Sequence, residues 1–190
     1  YEVSLKSGAS VLNALDREKY DPRDIFIDRQ GAWHMHGLEM PPERALRGID
    51  VAFNAMHGHF GEDGEAQRLL EALAIPYTGS SAAASALAFN KQHTKQAIKK
   101  LGIRTPRALA VPVPQDGDLE KLALTIFRGF PHPAIVKPVI GGSSVGTTIV
   151  DNFHALAWAL ERAYEVAPKA LVEEFIKGKE ATVGVIEHFR

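Results

Sequence analysis

Residues 49–55 read IDVAFNA, a run that is apolar nearly throughout. It has no polar face to turn to water, so it reads as a buried parallel strand covered on both sides. The loop MHGHFGEDG (56–64) follows, and then a helix from about Glu65 to Ala74 that turns Leu69, Leu70 and Leu73 inward. IPYTG (75–79) reads as a strand entering a turn at Gly79. Upstream, DIFID (24–28) and AWHMH (32–36) read as short strands, the second bounded by Gly31 and Gly37. Val11, Leu12 and Leu15 mark a helical face within 9–17. Strands alternating with helices predict a small α/β layer on a parallel sheet. With 45% apolar residues in 190, the chain can bury such a core.

The character changes after about Ser80. Ser80 or Ser81 can cap a helix over Ala82–Phe89, and a second helix, HTKQAIKKL (93–101), ends at Gly102. TPRALAVPVPQDGD (105–118) carries three prolines and reads as an extended crossing. Residues 119–128 and 153–165 read as helices, the latter with Leu156, Leu160 and Ala163 on one side. HPAIVK (132–137), TTIV (147–150), ALVEEF (170–175) and EATVGVIE (180–187) read as strands. The expected organisation is an α/β domain over 1–80 and an α+β domain over 81–190. The chain begins without methionine and stops just after an alternating run, so it is expected to be part of a longer protein.

Charge and composition exclude several functions. Lys+Arg is 22 and Asp+Glu is 23, a formal net charge of −1, without the basic excess of a nucleic-acid binder. The absence of cysteine removes disulfides, thiolate metal sites and a cysteine nucleophile, and fits a reducing compartment such as the cytoplasm. No long apolar span suggests a membrane helix, and YEVSLKSGAS has no signal-peptide pattern.

Chemistry concentrates in three places. In KPVIGGSSVGTT, Gly141, Gly142 and Gly146 open backbone conformations closed to other residues. Successive N–H groups there can converge on an anion, helped by the Ser143 and Ser144 hydroxyls. An ordinary hairpin turn is the other reading, because the loop joins two strands and lacks the G-K-[ST] of a Walker A motif. Lys137 ends the preceding strand, where its ammonium can meet a phosphate or simply be solvated. Lys91 follows the helix in ALAFNK and is open to the same two readings. Glu173 and Glu180 are expected at the facing ends of the strand pair 170–175 and 180–187. They either flank an adenine and its ribose or are two exposed carboxylates. HGHFGEDG lies at the carboxyl end of the 49–55 run, where open α/β sheets bind ligands. His57 and Glu62 can pair there. The H-x-H of His57 and His59 lacks a third ligand, so the metal residues are unknown. His34, His36, His93, His132, His154 and His188 form no cluster in the sequence.

Taken in order, EVSLKSG (2–8), HGHFGEDG (57–64), IPYTGS (75–80), ASALAFNK (84–91), IVKP (135–138), GSSVG (142–146) and LVEEFIKGKEATVGV (171–185) resemble the D-alanine–D-alanine ligases of the ATP-grasp superfamily. The resemblance implies a small parallel-sheet domain before an incomplete ATP-grasp domain. It also implies an enzyme that phosphorylates the carboxylate of one D-alanine with magnesium-ATP (or manganese-ATP). The amine of a second D-alanine then attacks the acylphosphate, making a dipeptide for peptidoglycan precursors. By this resemblance Lys91 and Lys137 contact ATP phosphates. The loop 141–146 closes over them, with Gly142 and Ser144 among its donors. Ser143 joins a hydrogen-bond network around the substrate, and His57 lies beside the first D-alanine. Glu173 and Glu180 grip adenine and ribose, and the backbone of Glu174, Phe175 and Ile176 reads the base edge. A homodimer is also implied.

The chain departs from the family pattern. VIG at 139–141 replaces the usual charged residue before GSSVG, so a less charged loop is expected. The family's first glycine-rich strand and the glutamate for the substrate ammonium would precede Tyr1. Its metal-binding acids and asparagine, transition-state arginine and lid tyrosine would follow Arg190. The chain alone is therefore expected not to ligate. Two alternatives stay open: another ATP-grasp ligase, including one that uses D-lactate as acceptor, and a noncatalytic nucleotide-binding module.

Overall fold

The structure, a computed structural model, describes residues 1–142 and 144–186. Contacts divide the chain into two compact units, Tyr1–Gly102 with Ile140–Ser143, and Ile103–Val139 with Ser144–Arg190.

The first unit opens with α1 (Glu2–Ala14), which starts well before the 9–17 stretch. β1 (Ile25–Ile27), β2 (Trp33–Met35) and β3 (Leu38–Glu39) then form an antiparallel sheet in that order. Asp28 Oδ1 shapes the first turn, accepting from the N–H groups of Gln30 and Ala32 at 2.9 Å each. His36 and Gly37 make the second, with φ of 54° and 76°, the backbone a two-residue hairpin favours. α2 (Pro42–Ala45) has proline in its first turn, where no N–H partner is lost. α3 (Glu65–Ala72) follows the glycine-rich loop. Trp33, Ala45, Leu46 and Leu70 are the buried centre, with Phe60 and Tyr77 against them.

The parallel sheet expected here is reduced to a single bridge. Ala52 pairs in parallel with Tyr77, through Ala52 N–H to the Pro76 carbonyl and Thr78 N–H to the Ala52 carbonyl. Val51 and Phe53, which the all-apolar reading buries, are 54% and 58% exposed. A run apolar on both faces needs neighbours at both edges. Among the described residues, 76–78 supplies one edge only.

α4 (Ala82–Phe89) begins at Ser81, whose hydroxyl accepts from the Ala84 N–H. α5 (Lys91–Lys100) begins at Asn90, whose side chain accepts from the His93 N–H, and Gly102 follows it at φ 74°. The sequence boundary near Ser80 falls before these helices, but contacts group both with the first unit. The Glu71 carboxylate bonds the Ala82 N–H at 2.9 Å, and a Cβ at Gly64 would lie 2.4 Å from the Ala82 carbonyl oxygen. Such close packing needs glycine.

The second unit contains β4 (Ala108–Pro112), α6 (Leu119–Gly129), β5 (Ala134–Pro138), β6 (Thr148–Val150), α7 (Phe153–Tyr164) and β7 (Lys169–Glu174). The strands form one antiparallel sheet in the order β4-β7-β5-β6. β4 lies inside the proline-rich crossing, at the sheet edge where proline is tolerated. Alternate residues Ala134 and Val136 join Val111, Val150, Ala170 and Val172 in a core with Ile126, Leu156 and Leu160. α6 and α7 therefore cover one face of the sheet. The opposite face carries Ile135, Lys137, Leu171 and Glu173, set by registers Ile135↔Glu173 and Lys137↔Leu171.

One expected strand is missing. Residues 180–186 join no ladder, and Val183, Val185 and Ile186 are 83%, 86% and 73% exposed. Glu187, the last residue of that expected strand, lies outside the described residues. β7 has β4 on one edge and β5 on the other, so 180–186 cannot pair with β7 as the sequence reading expects.

Candidate functional site

The Gly–Ser loop does join two antiparallel strands, and its backbone is unusual at three points. Gly141, Ser144 and Gly146 have φ of 109°, 58° and 69°. At Gly146 a Cβ would lie 2.9 Å from Pro138 Cγ, so both conformation and space demand glycine. Ser144 is exposed and left-handed without being glycine, a conformation that costs energy. Its carbonyl accepts from the Thr147 N–H at 3.1 Å, which closes the turn. Gly142 is exposed. Ser143 lies outside the described residues.

Lys91 is tied to this loop. Asn90 ends α4, caps α5 and makes an antiparallel bridge with Ile140. That bridge brings the first side chain of α5 to the loop, and Lys91 Nζ donates to the Gly141 carbonyl at 2.8 Å.

Lys137 and Glu173 form an ion pair diagonally across β5 and β7. Glu173 is buried, at 6% exposure. It is therefore not one of two exposed carboxylates, and a carboxylate so placed requires a partner charge. Glu180 is exposed, on a segment without a ladder. The strand pair that was to set Glu173 and Glu180 face to face is not formed.

The residues after β7 are largely engaged. Glu174 Oε1 accepts from the Arg107 N–H at 2.9 Å. The Glu174 N–H donates to the Arg107 carbonyl at 3.0 Å and the Phe175 N–H to the Pro133 carbonyl at 3.1 Å. These two N–H groups are spent within the protein, so a base edge meeting 174–176 would face carbonyls and the remaining donor. Ile176 is 61% exposed and gives an apolar surface beside them.

In the first unit His57 sits in a small polar web. Its Nε2 lies 2.9 Å from Ser7 Oγ, and its backbone N–H donates to Ser4 Oγ at 3.0 Å. Its Nδ1 faces Glu62 Oε1 at 3.8 Å, and Glu62 Oε2 accepts from the Gly58 N–H at 2.7 Å. His57 and Glu62, expected from the sequence as a hydrogen-bonded pair, face each other at a distance too long for a hydrogen bond. Ser4 and Ser7 carry no site signal of their own in the sequence beyond the EVSLKSG motif. Within it their i, i+3 spacing puts both on one helix face. His59 turns instead to Asp63, 3.4 Å away, and to the Phe89 ring. Among the described residues no group of three or more His, Cys, Asp or Glu could hold a metal ion.

An antiparallel sheet with helices on one face, a buried acid–lysine pair on the other and a glycine–serine hairpin beside it define the class of the ATP-grasp proteins. Solved structures agree. D-alanine–D-alanine ligase from Helicobacter pylori matches with a TM-score of 0.77 and 25% identity, over 93% of this chain and 63% of that one. The VanG D-Ala:D-Ser ligase from Enterococcus faecalis matches at 0.76 and 28%, over 94% of this chain and 60% of that one. The family model "D-ala D-ala ligase C-terminus" matches residues 89–189 and "D-ala D-ala ligase N-terminus" matches 37–80. The chain belongs to the D-alanine–D-alanine ligase family. It is 41% identical over 186 residues to D-alanine–D-alanine ligase from Pelobacter propionicus, covering 98% of this chain and 55% of the relative. It thus spans about half the length of such relatives.

Proposed function

We propose that the chain is the front part of an ATP-dependent ligase that joins two D-alanines for peptidoglycan precursors in the cytoplasm. Lys91 and Lys137 bind the phosphates, and the backbone of 141–146, with Gly142, Ser143 and Ser144, closes over them. Glu173 accepts from the adenine amine, the carbonyls of 174–176 meet the base edge, and Glu180 meets the ribose. His57 stands beside the first D-alanine, and Ser143 belongs to the network around it. ATP supplies the phosphoryl group that makes a carboxylate oxygen a leaving group.

The observation that carries this reading is Lys91 fixed at 2.8 Å on the Gly141 carbonyl. A lysine at a helix start is ordinarily solvated; this one is held at the root of a loop whose strained backbone can gather N–H donors. The ion pair of Lys137 with the buried Glu173 places a second lysine and a carboxylate together on the open face of the sheet. The residues therefore fit a nucleoside triphosphate. The described residues offer no group of three or more metal ligands, and the acids that would hold magnesium are expected after Arg190. The family models part between 80 and 89, which supports 1–80 as a substrate domain and 81–190 as ATP-grasp. No helix among the described residues is long and apolar enough to cross a membrane. A homodimer is part of the same proposal.

The test is calorimetric titration of ATP into this chain and into Lys91→Ala and Lys137→Ala. Each substitution is expected to weaken binding at least about tenfold, roughly 1.4 kcal/mol. Unchanged affinity in both would sink the phosphate assignment. Likeness to the D-Ala:D-Ser ligase favours one second reading, in which another small D-amino acid or D-lactate is the acceptor. Product analysis on the longer protein with each acceptor decides between them.

A further inference from the structure

We propose that Ser7 and Ser4 are positioning residues that lock His57 as its Nδ1–H tautomer, with Nε2 accepting from the Ser7 hydroxyl. The inference rests on the reading above only in giving His57 a substrate beside it; the lock itself stands on geometry.

Serines inside helices commonly turn back on their own backbone. Ser10 does so, donating to the Lys6 carbonyl at 2.9 Å. Ser7, on the same helix, instead reaches a ring fifty positions away, at 2.9 Å from Nε2. Ser4, one turn earlier, accepts from the His57 backbone N–H at 3.0 Å. Two points of one helix face thus hold both the backbone and the ring of one histidine.

The protonation pattern follows from what each neighbour can do. An ionised carboxylate only accepts. Glu62 is oriented by the 2.7 Å bond from the Gly58 N–H and turns its other oxygen to His57 Nδ1 at 3.8 Å. At that distance the contact is electrostatic rather than a hydrogen bond, and it is attractive when Nδ1 carries the proton. Nε2 of the neutral ring is then an acceptor, and the Ser7 hydroxyl must donate to it. Free neutral histidine prefers the opposite tautomer, so the lock has a spectroscopic signature. With Ser7 bonded to Nε2 and Glu62 facing Nδ1, His57 offers a neighbouring small molecule its carbon edge and ring face. It acts there as a fixed wall, and Ser7 keeps Nε2 from acting as a base.

Long-range 15N–1H correlation spectra of the labelled chain, recorded where imidazole is neutral, read the tautomer directly. His57 is assigned by the signal lost in His57→Gln. The expected result is a mainly Nδ1–H ring that moves to mainly Nε2–H in Ser7→Ala and stays in Ser7→Thr, which keeps the hydroxyl. A mainly Nε2–H ring in the unaltered chain overturns the proposal, even where Ser7→Ala does not fold; so does a tautomer indifferent to Ser7→Ala. Titration with D-alanine is the separate arm. If His57 signals ignore D-alanine while the tautomer is as expected, the substrate assignment fails and the lock stands.

Discussion

Two runs read alike from their letters, IDVAFNA at 49–55 and AIVKP at 134–138, and they meet different fates. The second is β5, with β7 on one edge and β6 on the other, and its alternate residues are sealed beneath helices. The first makes one bridge and leaves Val51 and Phe53 more than half exposed. Apolar content proposes a strand; a neighbour that continues the ladder makes it one. This is tertiary context overriding local preference.

The comparison can be broken by placing the same charge in both runs. Val136→Asp buries a carboxylate without a partner and should cost more than about 3 kcal/mol, or prevent the second unit from folding. Phe53→Asp should stay within about 0.5 kcal/mol. Urea unfolding of both variants checks this, and equal losses would mean that Phe53 is buried in solution. Next in size, Leu160→Ala empties space in a fully buried position and should cost about 2–5 kcal/mol in the same assay.

Glycines sharpen the contrast at smaller scale. Gly146→Ala meets both a left-handed backbone and Pro138, and should cost about 1–3 kcal/mol. Gly31→Ala in the first unit has an equally left-handed φ of 87° but open space, and should cost about 1 kcal/mol. Thermal unfolding that ranks them the other way would discount the Pro138 clash.

The smallest effects separate the regions by pH. In the first unit the Ala82 N–H, then the Tyr77 hydroxyl, hold the Glu71 carboxyl below its usual range. A lowered folded value means stability that is present above the unfolded value and fades as pH falls through the folded one. Glu71→Gln should flatten that acid limb. In the second unit burial pushes the Tyr164 phenol up to about 12. Its contribution is intact below the ordinary value near 10 and is lost as pH rises from there through about 12. Tyr164→Phe should flatten that alkaline limb. Stability–pH curves for both variants are the measurement.

Much of this was legible, for identifiable reasons. Helices announce their ends: Ser81 and Gly102 stand where capping chemistry puts them, while Asn90, whose cap starts α5 two residues before the expected His93, is not read as one. β5, β6 and β7 carry enough β-branched and aliphatic residues to be found within a residue or two. β4 was hidden by its prolines, which read as a crossing until an edge position explains them. The 180–186 run alternates as a strand should, yet pattern cannot tell whether an edge is vacant. At the site, Lys91, Lys137 and Glu173 stand out by their place beside the loop and strands, and the resemblance chooses the ligand reading over the solvated one. The ion pair between the last two was not foreseen, because it depends on the β5–β7 register. Ser4 and Ser7 look like ordinary solvent-facing helix positions until His57 is brought to them from fifty residues away.

The sheet order has a temporal consequence. β7 leaves the ribosome after β4, β5 and β6, yet it is the one that joins β4 to β5. During synthesis β4 must therefore wait, unpaired, while tens of residues are added. A proline-broken, modestly apolar stretch tolerates that delay better than a smooth hydrophobic one, which would invite aggregation. Pro112 within β4, and Pro106 and Pro114 on either side of it, keep that waiting stretch a poor template for another strand.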